Sequence, residues 1–149
     1  MPLVTSQIVI AASPAAVRAK FLDFTQIPKY SGSSIIQSIA PKTSKVPTEL
    51  TKGDVLRVSL GGGMSFSPTV LENSEQAFIW RGYIPLIICG DHGFRFKEVE
   101  GNNQVTLFEQ DEEYTGTLSF LANWKGQKEK QMKHFDEFNR HFKKWVEEK

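Results

Sequence analysis

The chain has 149 residues, a length that suits a sizeable core, and we expect a single domain over residues 1–149. Its formal net charge is +1, which gives no overall reason to expect nucleic acid or an anionic membrane as a partner. Cys89 is the only cysteine, which excludes an internal disulfide and a cysteine-based metal cluster. We find neither a signal-peptide pattern nor a run of about 20 apolar residues, and we therefore expect a soluble, cytoplasmic protein.

The first part of the chain predicts one strand and two short helices. Residues 4–11 are rich in β-branched side chains, which is typical of a strand. Ser13 and Pro14 suit the N-cap and the first position of a helix. Pro28 interrupts the next segment, so residues 24–30 predict a second short helix or a turn.

A series of strands is predicted for the middle of the chain. Their ranges are 35–40, 54–60, 64–72, 77–84, 91–99 and 104–114. The triple glycine at residues 61–63 predicts a tight hairpin, because the Lys-Ser/Thr and helix of a phosphate-binding loop do not follow it. Residues 85–88 connect two strands and are apolar, which is unusual unless the loop covers something apolar. Residues 118–124 are apolar and ambiguous.

The longest predicted element is a C-terminal helix over residues 126–148. Apolar side chains recur along it at helical spacing, and charged residues occupy the other face. Because no other long helix is predicted, we expect a β-sheet as its packing partner and function in the space that helix and sheet leave unfilled. The apolar stripe consists of Met132, Phe135, Phe138, Phe142, Trp145 and Val146.

The last two predicted strands bring one acid and one base together. A turn at residues 101–103 places His92 directly opposite Glu112, and opposed residues have Cβ atoms about 5 Å apart. Acidic residues alternate at positions 109–113 on the other face, which marks that face as solvated. We therefore expect Glu112 to point inward, beside Tyr114.

A buried carboxylate is costly unless it is paired, and a neighbouring His92 would keep Glu112 ionised. The pair predicts either a polar anchor for a ligand or a general acid and base in an apolar pocket. A purely structural ion pair that fixes strand register remains an alternative. No Ser or Cys lies in a recognisable nucleophile motif, and His134 and His141 have no evident third ligand, so no metal site is predicted.

Several local patterns occur together in a characteristic order. They are residues 10–17 with 21–24, Trp80-Arg81-Gly82, residues 90–96, residues 110–118, Phe138-Asn139 and Phe142-Lys143. This series resembles the START and pollen-allergen-like superfamily, the helix-grip group also called SRPBCC or polyketide-cyclase-like. The resemblance covers essentially the whole chain. It implies an α+β helix-grip fold, in which a curved antiparallel sheet of about seven strands wraps a long C-terminal helix and two short helices follow strand 1.

In that superfamily the sheet and the last helix enclose a cavity. The resemblance therefore implies binding of a small hydrophobic molecule such as a lipid, a sterol or a polyketide, and it implies no cofactor. Residues 123–131 are unusually polar, which departs from the family and leaves the shape of the cavity entrance open. By position, the implied ligand-binding residues are Tyr30, Met64, Phe66, Trp80, Ile84, His92, Phe94, Gln110, Glu112, Tyr114, Phe135 and Asn139, with Tyr30 and residues 85–88 near the mouth.

Two other functions stay open. The first is a polyketide cyclase-like enzyme in which His92 and Glu112 act as acid and base and Tyr114 donates to a developing enolate oxygen. The second is a protein-interaction module, as in chaperone co-factors of this fold, which would suit the uneven charge of the chain. The identity of the ligand and the oligomeric state do not follow from the sequence.

Overall fold

A computed structural model describes residues 3–84, 88–115 and 126–148. Within these ranges it has eight strands and three α-helices. The strands are β1 (Leu3–Ile10), β2 (Ile36–Pro41), β3 (Leu56–Leu60), β4 (Ser65–Phe66), β5 (Thr69–Asn73), β6 (Ala77–Ile84), β7 (Ile88–Val99) and β8 (Asn102–Thr115). The helices are α1 (Pro14–Leu22), α2 (Ile27–Tyr30) and α3 (Gln127–Glu147). The predicted segment at residues 118–124 lies outside the described residues.

The strands form two antiparallel sheets. One has the order β1-β8-β7-β6-β5 and the other the order β2-β3-β4. Helix α3 contacts β1, β8 and α2, so the expected α+β arrangement of a long C-terminal helix against an antiparallel sheet is confirmed. No helix in the described ranges is both long and apolar enough to cross a membrane.

The prediction of a single strand over residues 64–72 is wrong, because this segment forms two strands in different sheets. Strand β4 pairs with β3, whereas β5 pairs with β6. Pro68 lies between them, and a proline cannot donate a hydrogen bond to a neighbouring strand. The predicted tight hairpin at residues 61–63 is a short 3₁₀ turn that joins β3 to β4.

Helix α1 begins as predicted. The side chain of Ser13 accepts a hydrogen bond from the backbone N–H of Ala16 at 3.3 Å, and Pro14 occupies the first helical position. Both features satisfy or remove backbone donors that the first turn leaves unpaired. The buried face of α1 includes Phe21, which lies at the centre of the core with its ring centroid 4.4 Å from that of Phe94 and 6.0 Å from that of Phe142.

The β7–β8 hairpin has the predicted register, although its turn differs. His92 pairs with Glu112, as expected. The chain reverses at Glu100 and Gly101 rather than at residues 101–103, and Val99 pairs with Asn102. A bulge in β8 then shifts the register back, so the wrong turn and the bulge cancel. On the outer face Glu113 is exposed, but Asp111 is covered by its ion pair with Arg95 and is buried, unlike the solvated residue we expected.

Helix α3 presents its three phenylalanines to the sheet, and all three are buried. Phe138 lies 6.1 Å from Phe94, and Phe142 lies 4.8 Å from Phe108, measured between ring centroids. Burial of each such ring contributes about 2 kcal/mol to stability, so these contacts hold α3 on the sheet. They also fill the space between α3 and the sheet at this level of the fold.

Candidate functional site

Three rows of side chains cross the inner face of the five-stranded sheet. The strand register puts Trp80, His92 and Glu112 side by side on β6, β7 and β8. The next row, farther from the turn between β7 and β8, consists of Gly82, Gly90 and Tyr114. The row on the other side consists of Phe78, Phe94 and Gln110. Because a strand alternates its faces, all nine residues point toward the helix side of the sheet.

The imidazole of His92 is enclosed by aromatic rings. It stacks on Phe94 with 4.6 Å between centroids, and it lies 5.2 Å from Trp80 and 4.9 Å from Phe135. Only 5 % of His92 is exposed. Its Nδ1 lies 3.4 Å from Oε1 of Glu112, which is also 5 % exposed. The sequence-based pairing of these two groups therefore corresponds to a real contact.

Two residues that the sequence interpretation missed hold the carboxylate of Glu112. Gln131, near the start of α3, donates from Nε2 to Oε1 at 3.2 Å. Gly90 leaves the room that Oε2 occupies, because a Cβ on residue 90 would overlap that oxygen. A glycine two positions before His92 on the same face was the available signal for this close approach.

Tyr114 lies beside this carboxylate. Burial raises the pKa of its phenol well above the usual range, and the negative charge of Glu112 raises this pKa further. Tyr114 therefore keeps its proton and can act as a hydrogen-bond donor in the physiological range.

On its other side His92 joins a buried polar network. Its Nε2 lies 2.8 Å from Oε1 of Gln110, and Nε2 of Gln110 donates to Oδ1 of Asn139 at 2.7 Å. Asn139 donates to Oγ of Ser6 at 3.1 Å, and Ser6 donates to the carboxylate of Asp136. The sequence interpretation included Gln110 and Asn139 but missed Ser6 and Asp136.

The remaining predicted lining residues do not all lie beside His92. Phe94, Phe135, Gln110 and Asn139 are almost fully buried and pack against one another or against His92. Phe66 is half-buried, lies 6.2 Å from Trp80 and fills the space above Gly82.

Met64 is at the surface with 64 % of its area exposed, so its predicted place in the interior is wrong. Met64 lies between the turn at residues 61–63 and β4. The side chain of Ile84 and the loop residues 85–87 lie outside the described residues.

Tyr30 lies at the opposite end of α3 from Glu112. Its ring stacks on Trp145 with 4.8 Å between centroids, whereas Glu112 contacts Gln131. Tyr30 also lies 6.0 Å from Phe138 and 5.8 Å from Phe142, measured between ring centroids. At 1.5 Å per helical residue, Gln131 and Phe138 are about 10 Å apart, so Tyr30 and Glu112 contact different turns of α3.

A surface hollow of about 750 Å³ lies between the start of α1 and β7, and none of its lining residues belongs to the His92 site. Of its three cations, Arg95 and Lys97 are paired with Asp111 and Glu109, and Arg18 donates a hydrogen bond to Asn73. In the described part of the chain, no three His, Cys, Asp or Glu side chains are arranged to hold a metal ion. The enclosed polar cluster around His92 and Glu112 is therefore the better candidate site.

No protein-family model and no curated protein matches the sequence. Solved structures do match its fold. A hypothetical protein from Helicobacter pylori has a TM-score of 0.73 and 12 % identity, and the match covers 97 % of this chain and 88 % of that one. A START superfamily protein from Mycobacterium smegmatis has a TM-score of 0.65 and 15 % identity, with 97 % of both chains covered.

Norcoclaurine synthase from Thalictrum flavum has a TM-score of 0.69 and 10 % identity, and the match covers 99 % of this chain and 87 % of that one. The START superfamily protein and norcoclaurine synthase share the helix-grip fold, and the chain has this fold too. At identities this low, the similarity extends only to the fold.

Proposed function

We propose that the protein binds a small, uncharged hydrophobic molecule whose hydroxyl or carbonyl group meets Glu112 and Tyr114. The observation that carries this proposal is the buried carboxylate of Glu112 beside a wall of aromatic rings. Among the described residues, His92 is the only potential cation in contact with that carboxylate. The helix-grip fold, with a helix facing the inner side of a sheet, supports the same interpretation.

The energetic cost of the pair argues against packing as its only role. Burying an ion pair costs several kcal/mol of desolvation, and well-packed apolar residues in its place often leave stability equal or higher. His92 itself is enclosed by Phe94, Trp80 and Phe135, so an apolar pair would suit the same positions. A group that accepts hydrogen bonds in an apolar surrounding is, by contrast, what a ligand site needs for orientation.

The two polar groups favour a neutral ligand. Tyr114 can donate to a carbonyl or hydroxyl oxygen, and Glu112 can accept from a hydroxyl. A ligand carboxylate would place a second negative charge beside Glu112, which is unfavourable at low local dielectric. Alcohols, phenols and ketones therefore fit the site better than fatty acids.

The same geometry supports a location near Tyr114 rather than deep under α3. Phe94 and Phe138 already touch across the interior. In the row of Tyr114, Gly82 and Gly90 have no side chains of their own, and Phe66 and the carboxylate of Glu112 lie over them. A ligand at this level would lie against Trp80 and reach Glu112 from the side that His92 does not occupy.

An enzyme is the second candidate, and the adjacent acid, base and phenol favour it. Glu112 would take a proton from a carbon next to a ligand carbonyl, and Tyr114 would donate a hydrogen bond to the enolate oxygen that forms. Cyclisation of a flexible polyketide could follow largely from binding it in a folded conformation. This role requires the same ligand class and the same contacts as simple binding.

The test compares naphthol with naphthoate by isothermal titration calorimetry near neutral pH, where only naphthoate is charged. We expect naphthol to bind at least about tenfold more tightly, a difference of about 1.4 kcal/mol. Native mass spectrometry of the protein from its own source would then identify a retained molecule. Preference for naphthoate contradicts the proposal, and so does an absence of both probe binding and any retained molecule.

A further inference from the structure

A chain of side-chain hydrogen bonds connects the exposed residue Asp136 to the buried His92. It passes through Ser6, Asn139 and Gln110, and its measured links are 3.1 Å, 2.7 Å and 2.8 Å from Ser6 onward. These residues come from β1, β7, β8 and α3, so the hydrogen-bonded series crosses the interface between helix and sheet. Ser6, Gln110 and Asn139 are buried, and all three are hydrogen-bonded.

The direction of every bond follows from the end at Asp136. A carboxylate accepts and does not donate, so the hydroxyl of Ser6 must donate to it. The oxygen of Ser6 then accepts from the amide nitrogen of Asn139, which turns the amide oxygen of Asn139 toward Gln110. In turn, Gln110 must present its nitrogen to Asn139 and its oxygen to His92.

A second acceptor gives the same orientation for Gln110. Its Nε2 also lies 3.4 Å from the backbone carbonyl of Phe135, which can only accept. Orientations of side-chain amides are assigned from such networks, and here two independent acceptors agree. The oxygen of Gln110 therefore faces Nε2 of His92, and this nitrogen must carry a hydrogen.

The remaining ring nitrogen of His92 faces the other side. Nδ1 lies 3.4 Å from Oε1 of Glu112. Nδ1 is thus the nitrogen that faces the carboxylate, whereas Nε2 faces the amide oxygen of Gln110.

We propose that Asp136, Ser6, Asn139 and Gln110 are positioning residues that hold His92 with its proton on Nε2, so that Glu112 is the group of the pair that meets the ligand. This inference rests on the proposed function for its ligand, but the tautomer of His92 can be measured without one. His92 is enclosed by Phe94, Trp80 and Phe135, and both of its nitrogens are occupied. Within the described ranges, Glu112 accepts its hydrogen bond at Oε1, and Oε2 lies over Gly90 without one.

The experiment records imidazole ¹H–¹⁵N spectra of the ¹⁵N-labelled full chain near neutral pH. His92 is assigned by the signal that is lost in His92→Gln, and His134 and His141 serve as internal references. We expect the proton of His92 to be bonded to Nε2. A proton on Nδ1 with a free lone pair on Nε2 overturns the proposal.

A matched pair of variants then tests the positioning role. Gln110→Leu removes the acceptor of Nε2, so we expect the proton of neutral His92 to move to Nδ1 and face Glu112. Gln104→Leu changes the same residue type at an exposed position of β8 and should leave the spectrum of His92 unchanged. We call the hydrogen-bonded series from Asp136 through Ser6, Asn139 and Gln110 to His92 the relay. If His92 keeps the Nε2 proton in Gln110→Leu, the relay does not set the tautomer.

Naphthol titrations of the same proteins separate the two proposals. Nε2 protonation together with an absence of probe binding and of any retained molecule would contradict the proposed function and leave the relay supported. Naphthol binding together with Nδ1 protonation would overturn the relay alone. Asp136→Asn gives a second check, because an amide can donate to Ser6 as well as accept from it. The direction of the hydrogen bonds along the relay is then no longer fixed, and we expect the His92 signals to shift or broaden relative to the wild-type chain.

Discussion

Gly90 and Glu112 lie so close on the inner face of the sheet that a Cβ on residue 90 would overlap Oε2 of the carboxylate. Gly90 pairs directly with Tyr114, two positions along β8 from Glu112. The glycine thus gives the carboxylate its place beside both His92 and Tyr114. The site consequently depends on the lack of a side chain at Gly90 as well as on its polar groups.

Gly90→Ala should therefore displace the carboxylate of Glu112. We expect a loss of about 1–3 kcal/mol in the free energy of unfolding, the usual cost of inserting a methyl group into a packed site, together with weaker naphthol binding. Urea denaturation and calorimetry measure the two effects. Gly61→Ala is the control, because a Cβ there meets nothing within 4 Å. Equal stability of both variants would show that the carboxylate moves freely.

Glu112→Ala leaves His92 buried without its carboxylate partner. Removal of one member of a buried ion pair costs about 3–5 kcal/mol, and we expect a loss of this size. Glu113→Ala, at the neighbouring exposed position of β8, should change stability by less than about 0.5 kcal/mol. The prediction fails if the two variants have the same urea midpoint.

Tyr114→Phe removes only the hydroxyl group that we assign to the ligand. One hydrogen bond contributes about 1 kcal/mol, so the affinity for naphthol should fall about fivefold. Tyr83→Phe is the matched control, because Tyr83 is 68 % exposed on β6. A wild-type affinity for Tyr114→Phe would place the polar group of the ligand elsewhere.

The protein should lose stability at alkaline pH. Burial raises the pKa of both Tyr30 and Tyr114 above the ordinary value of 10.0. Above about pH 10 the unfolded chain loses these two protons while the folded chain keeps them, so the folded state binds more protons and stability falls as the pH rises. Below that pH the contribution of both groups is fully present.

The measurement compares urea midpoints near neutral pH and at about pH 11, above the ordinary tyrosine pKa. The double variant Tyr30→Phe, Tyr114→Phe should show a smaller decline between these two conditions than the wild-type chain. Its stability near neutral pH is the internal reference. An identical decline in both proteins would exclude these two phenols as the cause.

Much of the fold follows from local patterns that neighbouring residues carry. The cap at Ser13 and Pro14 marks the start of α1, and the spacing of the phenylalanines marks α3 and its buried face. The register of the β7–β8 hairpin placed His92 opposite Glu112 because parity along a strand is a local property. That prediction survived a wrong turn only because a bulge compensated for it.

Predictions that required distances across the fold succeeded less well. Met64 was expected inside and is outside, and Tyr30 contacts α3 through Phe138, Phe142 and Trp145, whereas Glu112 contacts it through Gln131. Both were placed by resemblance to a family cavity. In this chain aromatic rings fill part of that space, and the volume left between packed side chains cannot be calculated from their order in the sequence.

The sequence by itself determined the α+β fold class, the amphipathic C-terminal helix and the inward pair His92 and Glu112, because periodicity and strand parity are local. Only the tertiary structure decided which atoms surround that pair. Ser6 and Asp136 are 130 positions apart and meet when β1 and α3 pack together. The room for Glu112 beside Gly90 and the direction of the relay to His92 likewise depend on contacts between elements, which no local pattern encodes.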